Sequence, residues 1–250
     1  MMIAFARTPS HRLCRLLAAL VMGSAAPLPA SAAEDAHASP PTNVPENTPD
    51  FSAAERALFM SDQLSALRAP STLSYRFHKS GSLEPGFDDS VKVNLRPQPD
   101  GSCCAATGEF FSGARRINMP EAEEARGNPV TMYFLERDVR EMQRLTKGQA
   151  NHFRKRIRMA IFDGATVRDI ALQYRGREVA GREIVISPYL TDPMRPRFEK
   201  LALKQYVFTL CDAVPGGVYS IRTQVGAADA ASAPLLVEEL RIADADRTTR

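Results

Sequence analysis

Three changes of hydrophobic period divide the chain. Ala53, Ala57, Met60, Leu64 and Leu67 recur at helical spacing. Ser52 and Glu55 ahead of them form a capping-box pattern, and Pro70 ends the predicted helix. The period then drops to two. Leu73, Tyr75 and Phe77 alternate with polar partners, as do Val91, Val93 and Leu95. Pro99-Asp100-Gly101 predicts a turn, and Cys103 to Phe111 the returning arm of a hairpin, followed by a short extended piece at Ile117 and Met119.

Asn128-Pro129 restores the helical period, with Asn as cap and Pro in the first turn. Leu135, Val139 and Met142 share one face, and Gly148 is a natural stop. A second helix carries Phe153, Ile157 and Ile161 inward and ends before Gly164. Alternation then resumes at Ile170, Leu172 and Tyr174, with Gly176 and Gly181 marking a turn region before Ile184 and Ile186. A stiff loop holds Pro188, Pro193 and Pro196, with a short helical turn near Glu199 to Leu203. Tyr206, Phe208 and Leu210, the Val214-Pro215-Gly216-Gly217 turn, then Tyr219, Ile221 and Val225 predict another hairpin. A polar, alanine-rich loop precedes a last strand at about Leu236 to Ile242. Clean alternation implies antiparallel strands with one wet and one buried face, and the segregated helices cover the buried one. The predicted class is α+β, a single domain from 51 to 245 with a helical pair at about 129–162.

The first 50 residues carry a different pattern. Arg7, Arg12 and Arg15 form a basic start, Leu16 to Met22 an apolar run, and Ala30-Ser31-Ala32 a small-x-small cleavage site. Residues 1–32 therefore read as a signal peptide, and the expected location is the periplasm. Cys14 precedes the apolar run, which does not suit a lipid-anchored cysteine. Residues 33–50, rich in Pro, Ala, Asn and acids, read as a flexible leader. No later apolar stretch is long enough to span a bilayer as a helix. Three of the 32 basic residues and no acidic residue precede the cleavage site, leaving 29 of each sign. That balance argues against a nucleic-acid partner.

Candidate chemistry is sparse. No nucleophile elbow, HExxH or phosphate loop occurs, and no spaced Cys/His pairs suggest a metal or other cofactor. His78 and His152 read as surface or boundary residues. Glu136, Asp138 and Glu141 interleave with Arg137, Arg140 and Arg144 at spacings of three and four, which suits ion pairs on a solvated helix face. A hydrolase built on these acids or on a histidine is the enzymatic alternative. Arg154, Lys155, Arg156 and Arg158 are the strongest local charge feature. They are either a solvated face or a contact for a partner protein or an anionic membrane surface. Cys103, Cys104 and Cys211 follow the cleavage site. Three isolated core cysteines are one reading; one disulfide, from Cys211 to Cys103 or Cys104, is the other.

Tyr75, Phe77, Phe110, Tyr174, Tyr206 and Phe208 fall on predicted strands. They either fill a core or line a hollow for an apolar ligand between sheet and helices. In element order and compartment, from about Ser52 to Ile242, the chain resembles the periplasmic lipoprotein-carrier superfamily of the LolA/LolB type. The runs NPVTMYFLERDVREMQRLT (Asn128 to Thr146) and ISPYLTDP (Ile186 to Pro193) and the VPGG turn look like signatures of a family, but none specifies an activity. The resemblance implies a half-barrel covered by helices and binding of lipid or acylated protein, and it transfers no individual residue role. The expectation is a non-enzymatic exported protein holding an apolar ligand; the alternative is an envelope accessory protein acting through protein contacts.

Overall fold

Alternation along the strands builds the fold. In β1 (Ser71–Ser80) every second residue from Leu73 to Lys79 is buried and those between are exposed. The computed structural model describes residues 51–100, 103–226 and 233–245. The predicted signal peptide (1–32), the predicted leader (33–50), Gly101 of the first predicted turn and most of the alanine-rich loop lie outside the described residues. Eight further strands follow β1. They are β2 (Phe87–Pro97), β3 (Cys103–Phe110), β4 (Ile117–Asn118), β5 (Thr166–Tyr174), β6 (Arg177–Ile186), β7 (Lys204–Leu210), β8 (Val218–Val225) and β9 (Leu236–Ile242). They form one open antiparallel sheet in the order β4-β3-β2-β1-β9-β8-β7-β6-β5. The class is α+β.

The sheet consists of two meanders, β1 to β4 and β5 to β8, joined through β9. The last strand in sequence is thus central in space. Register across it is continuous. Phe77, Leu240, Ile221, Phe208, Ile184 and Val167 are successive cross-strand partners from β1 to β5. Direct partners share a face, so this row forms an apolar rung across six strands. Arg175 and Gly176, both at positive φ, make the two-residue turn between β5 and β6. Gly181 lies within β6 instead of in the turn region, opposite Ile170. A Cβ there would meet Leu172 and the Leu210 carbonyl, so the close packing of β5 and β7 requires glycine.

Three helical segments accompany the sheet. Helix α1 (Ala53–Glu55) has the expected capping box and runs into one π-helical turn, Arg56–Met60. The helix predicted to reach Leu67 stops there. Ser61 Oγ bonds the Arg56 carbonyl, and the Leu64 N–H donates to the Arg126 carbonyl at 3.0 Å. Leu64 is buried through that tertiary contact, which mimics helical periodicity in the sequence. Helix α2 (Val130–Thr146) starts where Asn128 Oδ1 accepts the Val130 N–H at 3.1 Å. It ends at Lys147, which takes the left-handed conformation just before Gly148. Helix α3 (Ala150–Asp163) buries Phe153, Ile157 and Ile161. Helix α2 touches β3 and β8 and α3 touches β6, so the pair covers the face carrying the apolar rung.

The strand order corrects the expected disulfide. Cys104 is on β3 and Cys211 follows β7, five inter-strand spacings away. Neighbouring strands lie about 4.8 Å apart, and a disulfide spans a Cα separation of no more than roughly 7 Å, so the two sites are not strand neighbours that one bridge could join. Cys103 is instead bridged to Cys104, and Cys211 is free and buried, with Sγ donating to the Ala180 carbonyl.

Candidate functional site

Helix α2 separates two environments, and its period decides which residues enter each. Arg137, Asp138 and Glu141 face the sheet; Met132, Leu135, Glu136 and Val139 face away from it, toward α1 and α3.

The sheet-facing side meets a second rung, one step from the apolar one. Lys79 on β1, Glu238 on β9, Thr223 on β8 and Tyr206 on β7 are successive cross-strand partners. Lys204 enters from the next rung. Arg137 Nη1 lies 2.8 Å from Glu238 Oε1, and Lys204 Nζ lies 3.4 Å from Glu238 Oε2. Lys204 also pairs closely with Asp138, whose other oxygen accepts from Tyr206 Oη at 2.5 Å. Lys79 Nζ bonds Glu141 at 3.0 Å and Glu84 at 3.1 Å. Asp138, Lys204 and Glu238 are fully buried. Three cations (Lys79, Arg137, Lys204) thus face four anions (Glu84, Asp138, Glu141, Glu238).

This arrangement fixes charge states. Burial alone raises the Glu238 carboxyl, but Lys204, Arg137 and Lys79 outweigh it and hold the group down at about 2. Glu141 is likewise held at about 2 against burial by Arg144, Arg137 and Lys79. Burial pushes the Lys204 ammonium down, yet Asp138 and Glu238 leave it raised. Burial and the neighbouring Asp138 both push the Tyr206 hydroxyl well above its ordinary value. An acid–base catalyst needs a pKa near the working pH. These groups are shifted away from it, and all but Glu141 are buried, so the cluster is suited to pinning α2 onto the sheet. The solvated-face expectation therefore fails for Arg137, Asp138 and Glu141. It holds for Glu136 and Arg140, whose partners lie at the surface. Glu136 and Asp138 project to opposite sides of α2, so they do not form a carboxylate pair across one cleft.

The other side of α2 borders an apolar groove of 340 Å³ between α1 with its π-turn, α2 and α3. Phe59, Met132, Leu135, Val139, Ile157 and Ile161 line it, and Glu55, Glu136, Arg154 and Arg158 form its polar margin. Phe59 and Met132 are exposed at 37% and 55%. The volume falls within the usual range of ligand sites, about 300–1,000 Å³. Glu55 is tied to the Ser52 N–H at 2.8 Å. Arg154 grips Glu136 through Nε at 2.8 Å and Nη2 at 2.7 Å, and this bond holds the Glu136 carboxyl below its usual range despite partial burial. Arg158 has no ion pair among the described residues. The groove therefore combines an apolar floor with a margin of two acids and two bases, in which Arg158 forms no ion pair among the described residues.

The predicted site residues divide accordingly. Tyr75, Phe77, Phe110, Tyr206 and Phe208 are at most 1% exposed and sit in the core beneath the helices. They line no open hollow in this conformation, because α2, α3 and the charged rung fill the space above them. Tyr174 is also buried, but alternation from Val167 puts it on the opposite face from Phe208. Its hydroxyl reaches Asp244 at 3.0 Å. Of the basic run, Arg154 and Arg158 border the groove, and Arg156 turns to the Pro188 carbonyl at 3.1 Å and Asp192 at 3.2 Å. Lys155 is exposed without an ion pair among the described residues. His78 is exposed beside Asp88, and half-buried His152 binds fully buried Asp192 at 2.8 Å, anchoring the proline loop to α3. Among the described residues no group of acids, histidines and cysteines is placed to hold a metal, and no helix is long and apolar enough to cross a membrane.

No protein-family model matches the chain, and no curated protein does. Among solved structures, the crystal structure of the Mycobacterium tuberculosis lipoprotein LppX is similar over 73% of this chain and 90% of that one, at 6% identity and a TM-score of 0.31.

Proposed function

We propose that this chain is a non-enzymatic binding protein that acts outside the cytoplasm and holds a single acyl chain, or a ligand of similar shape, in the groove between α1, α2 and α3. The observation that carries this reading is the groove itself: an apolar floor made by three helices, with exposed Phe59 and Met132 at its mouth. Its 340 Å³ lies at the small end of the usual range of ligand sites, about 300–1,000 Å³, which suits one chain. The ligand site thereby moves from the hollow expected above Tyr75, Phe77, Tyr206 and Phe208 to the far side of α2. The buried aromatics become its foundation. Localisation outside the cytoplasm rests on the signal-peptide pattern of residues 1–32.

Titration of decanoate into the purified protein, followed by calorimetry, tests the proposal. Wild type is expected to bind with one-to-one stoichiometry, and Met132→Arg, a change at an exposed position, is expected to abolish binding while leaving the urea midpoint unchanged. Absence of binding to wild type, or unchanged binding by the variant, rejects the groove as the site.

A further inference from the structure

We infer that the outer face of α3 is a docking surface for an anionic lipid bilayer. Lys155, Arg158, Met159 and Phe162 are all exposed, the last two at 46% each. At 100° per residue the four span about 100° of the helix, opposite the side carrying Phe153 and Ile157. Of the four basic residues in this run, Arg154 is held by Glu136 and Arg156 by Asp192. Lys155 and Arg158, the two without an ion pair among the described residues, are the two that share this face with the exposed Met and Phe.

Cations beside large exposed apolar side chains fit a membrane interface. Ammonium and guanidinium groups meet lipid phosphates while Met and Phe enter the boundary of the acyl region. An acidic protein surface would match the charges and leave Met159 and Phe162 without apolar partners, so charge and apolarity together favour the bilayer. The position also fits the groove: Arg158 belongs both to this face and to the groove margin. Docking would bring the groove mouth to the lipid surface, where a single acyl chain could enter or leave. The inference about the face itself does not depend on the groove being occupied.

Co-sedimentation of the full chain from Ala33 with vesicles tests it. One set contains phosphatidylglycerol and phosphatidylcholine in equal parts, the other phosphatidylcholine alone. Wild type is expected to bind the anionic vesicles and lose binding at 0.5 M salt. Lys155→Glu with Arg158→Glu is expected to weaken binding at least 30-fold, and Met159→Ser with Phe162→Ser about tenfold, with thermal midpoints at the wild-type value. No binding to anionic vesicles overturns the inference. Equal binding to neutral vesicles, or wild-type binding by the charge-reversal variant, does so as well. Met132→Arg separates the two proposals: it is expected to lose decanoate and keep vesicle binding. Vesicle binding without any decanoate binding by wild type would reject the groove and leave the docking face standing.

Discussion

Arg137 Nη1 on α2 lies 2.8 Å from Glu238 Oε1 on β9, and both residues are at most 5% exposed. The pair joins the covering helix to the strand that unites the two meanders. Lys79 and Lys204 flank the same carboxylate at 3.6 and 3.4 Å. Removing Glu238 would leave three buried cations short of an anion. Such losses cost more than the intact pairs contribute, about 3–5 kcal/mol. Glu238→Ala is expected to destabilise by that amount in urea unfolding. Glu239→Ala, at the next, outward position, removes a surface pair with Arg241 and should cost no more than about 1 kcal/mol. Similar losses in the two variants would refute the assignment.

The same carboxylates govern acid stability. Glu238 falls from 4.5 to about 2 on folding, and Glu141 shifts in the same direction to about 2. A folded pKa below the unfolded one stabilises the native state when the carboxylate is charged. That stabilisation is complete above about pH 4.5 and is lost as pH falls toward 2. For Glu238 it is on the order of 3 kcal/mol, at about 1.4 kcal/mol per unit. The thermal midpoint is expected to stay level from pH 7 to 5 and drop steeply below 4.5. Glu238→Gln should start lower and show a shallower acid limb. An acid limb as steep as wild type would exclude Glu238 as its source.

Tyr206 tests the tyrosine arm of the network. Its hydroxyl donates to Asp138 and lies 3.2 Å from Tyr189 Oη. Tyr206→Phe keeps the ring and leaves one Asp138 oxygen without that donor. A buried bond to a charged group is worth about 1.5–3 kcal/mol, and a loss of that size is expected in urea unfolding. A neutral Tyr206→Phe would show that Lys204 satisfies Asp138 unaided.

Much of the sheet was legible because alternation is local. Leu73 to Phe77, Val91 to Leu95 and Tyr206 to Leu210 each display an inward face within a few residues. The charged rung was also written in that pattern: Lys79 shares the parity of Tyr75 and Phe77, Lys204 that of Tyr206, and Glu238 that of Leu240. These three positions are passed over in the sequence reading, because charged side chains are ordinarily exposed. On α2, Asp138 reads as a surface acid because Arg137, Arg140 and Arg144 offer nearby partners, although its partner is 66 residues away on β7. Central placement of β9 and the groove depends on non-local register and on a helix that stops at Met60. Neither leaves a local periodic signal. The basic run was visible, but only folding distinguishes Arg154 and Arg156, which are paired, from Lys155 and Arg158.

Asn128 links three parts of the structure that the sequence shows as separate motifs. Its Oδ1 caps α2, and its Nδ2 donates to Tyr75 Oη at 2.7 Å and to the Gly216 carbonyl at 2.8 Å. Its own N–H donates to Gln63 Oε1 at 2.8 Å. Asn128→Ala loses the cap and both donors and is expected to cost about 2–4 kcal/mol. Asn128→Asp keeps the cap oxygen but replaces the donors with an acceptor facing a carbonyl, so it should restore little of that loss near neutral pH. Recovery to near wild type by the Asp variant would show that capping alone accounts for Asn128.

The groove margin offers a functional prediction in the opposite direction, toward tighter binding. Arg154 is held by Glu136 through two hydrogen bonds, and Arg158 has no ion pair among the described residues. Glu136→Gln removes the counter-charge while keeping the side chain's shape. Arg154 then becomes a second cation available to an anionic head at the mouth of the groove. Exposed ion pairs are worth up to about 1 kcal/mol, so decanoate affinity is expected to rise about fivefold, and the gain should fade at 0.5 M salt. Decanol, which has the same chain and no charge, should bind both proteins equally. A gain shared by decanol would trace the effect to the shape of the groove; a gain confined to decanoate would place the carboxylate beside Arg154 and Arg158.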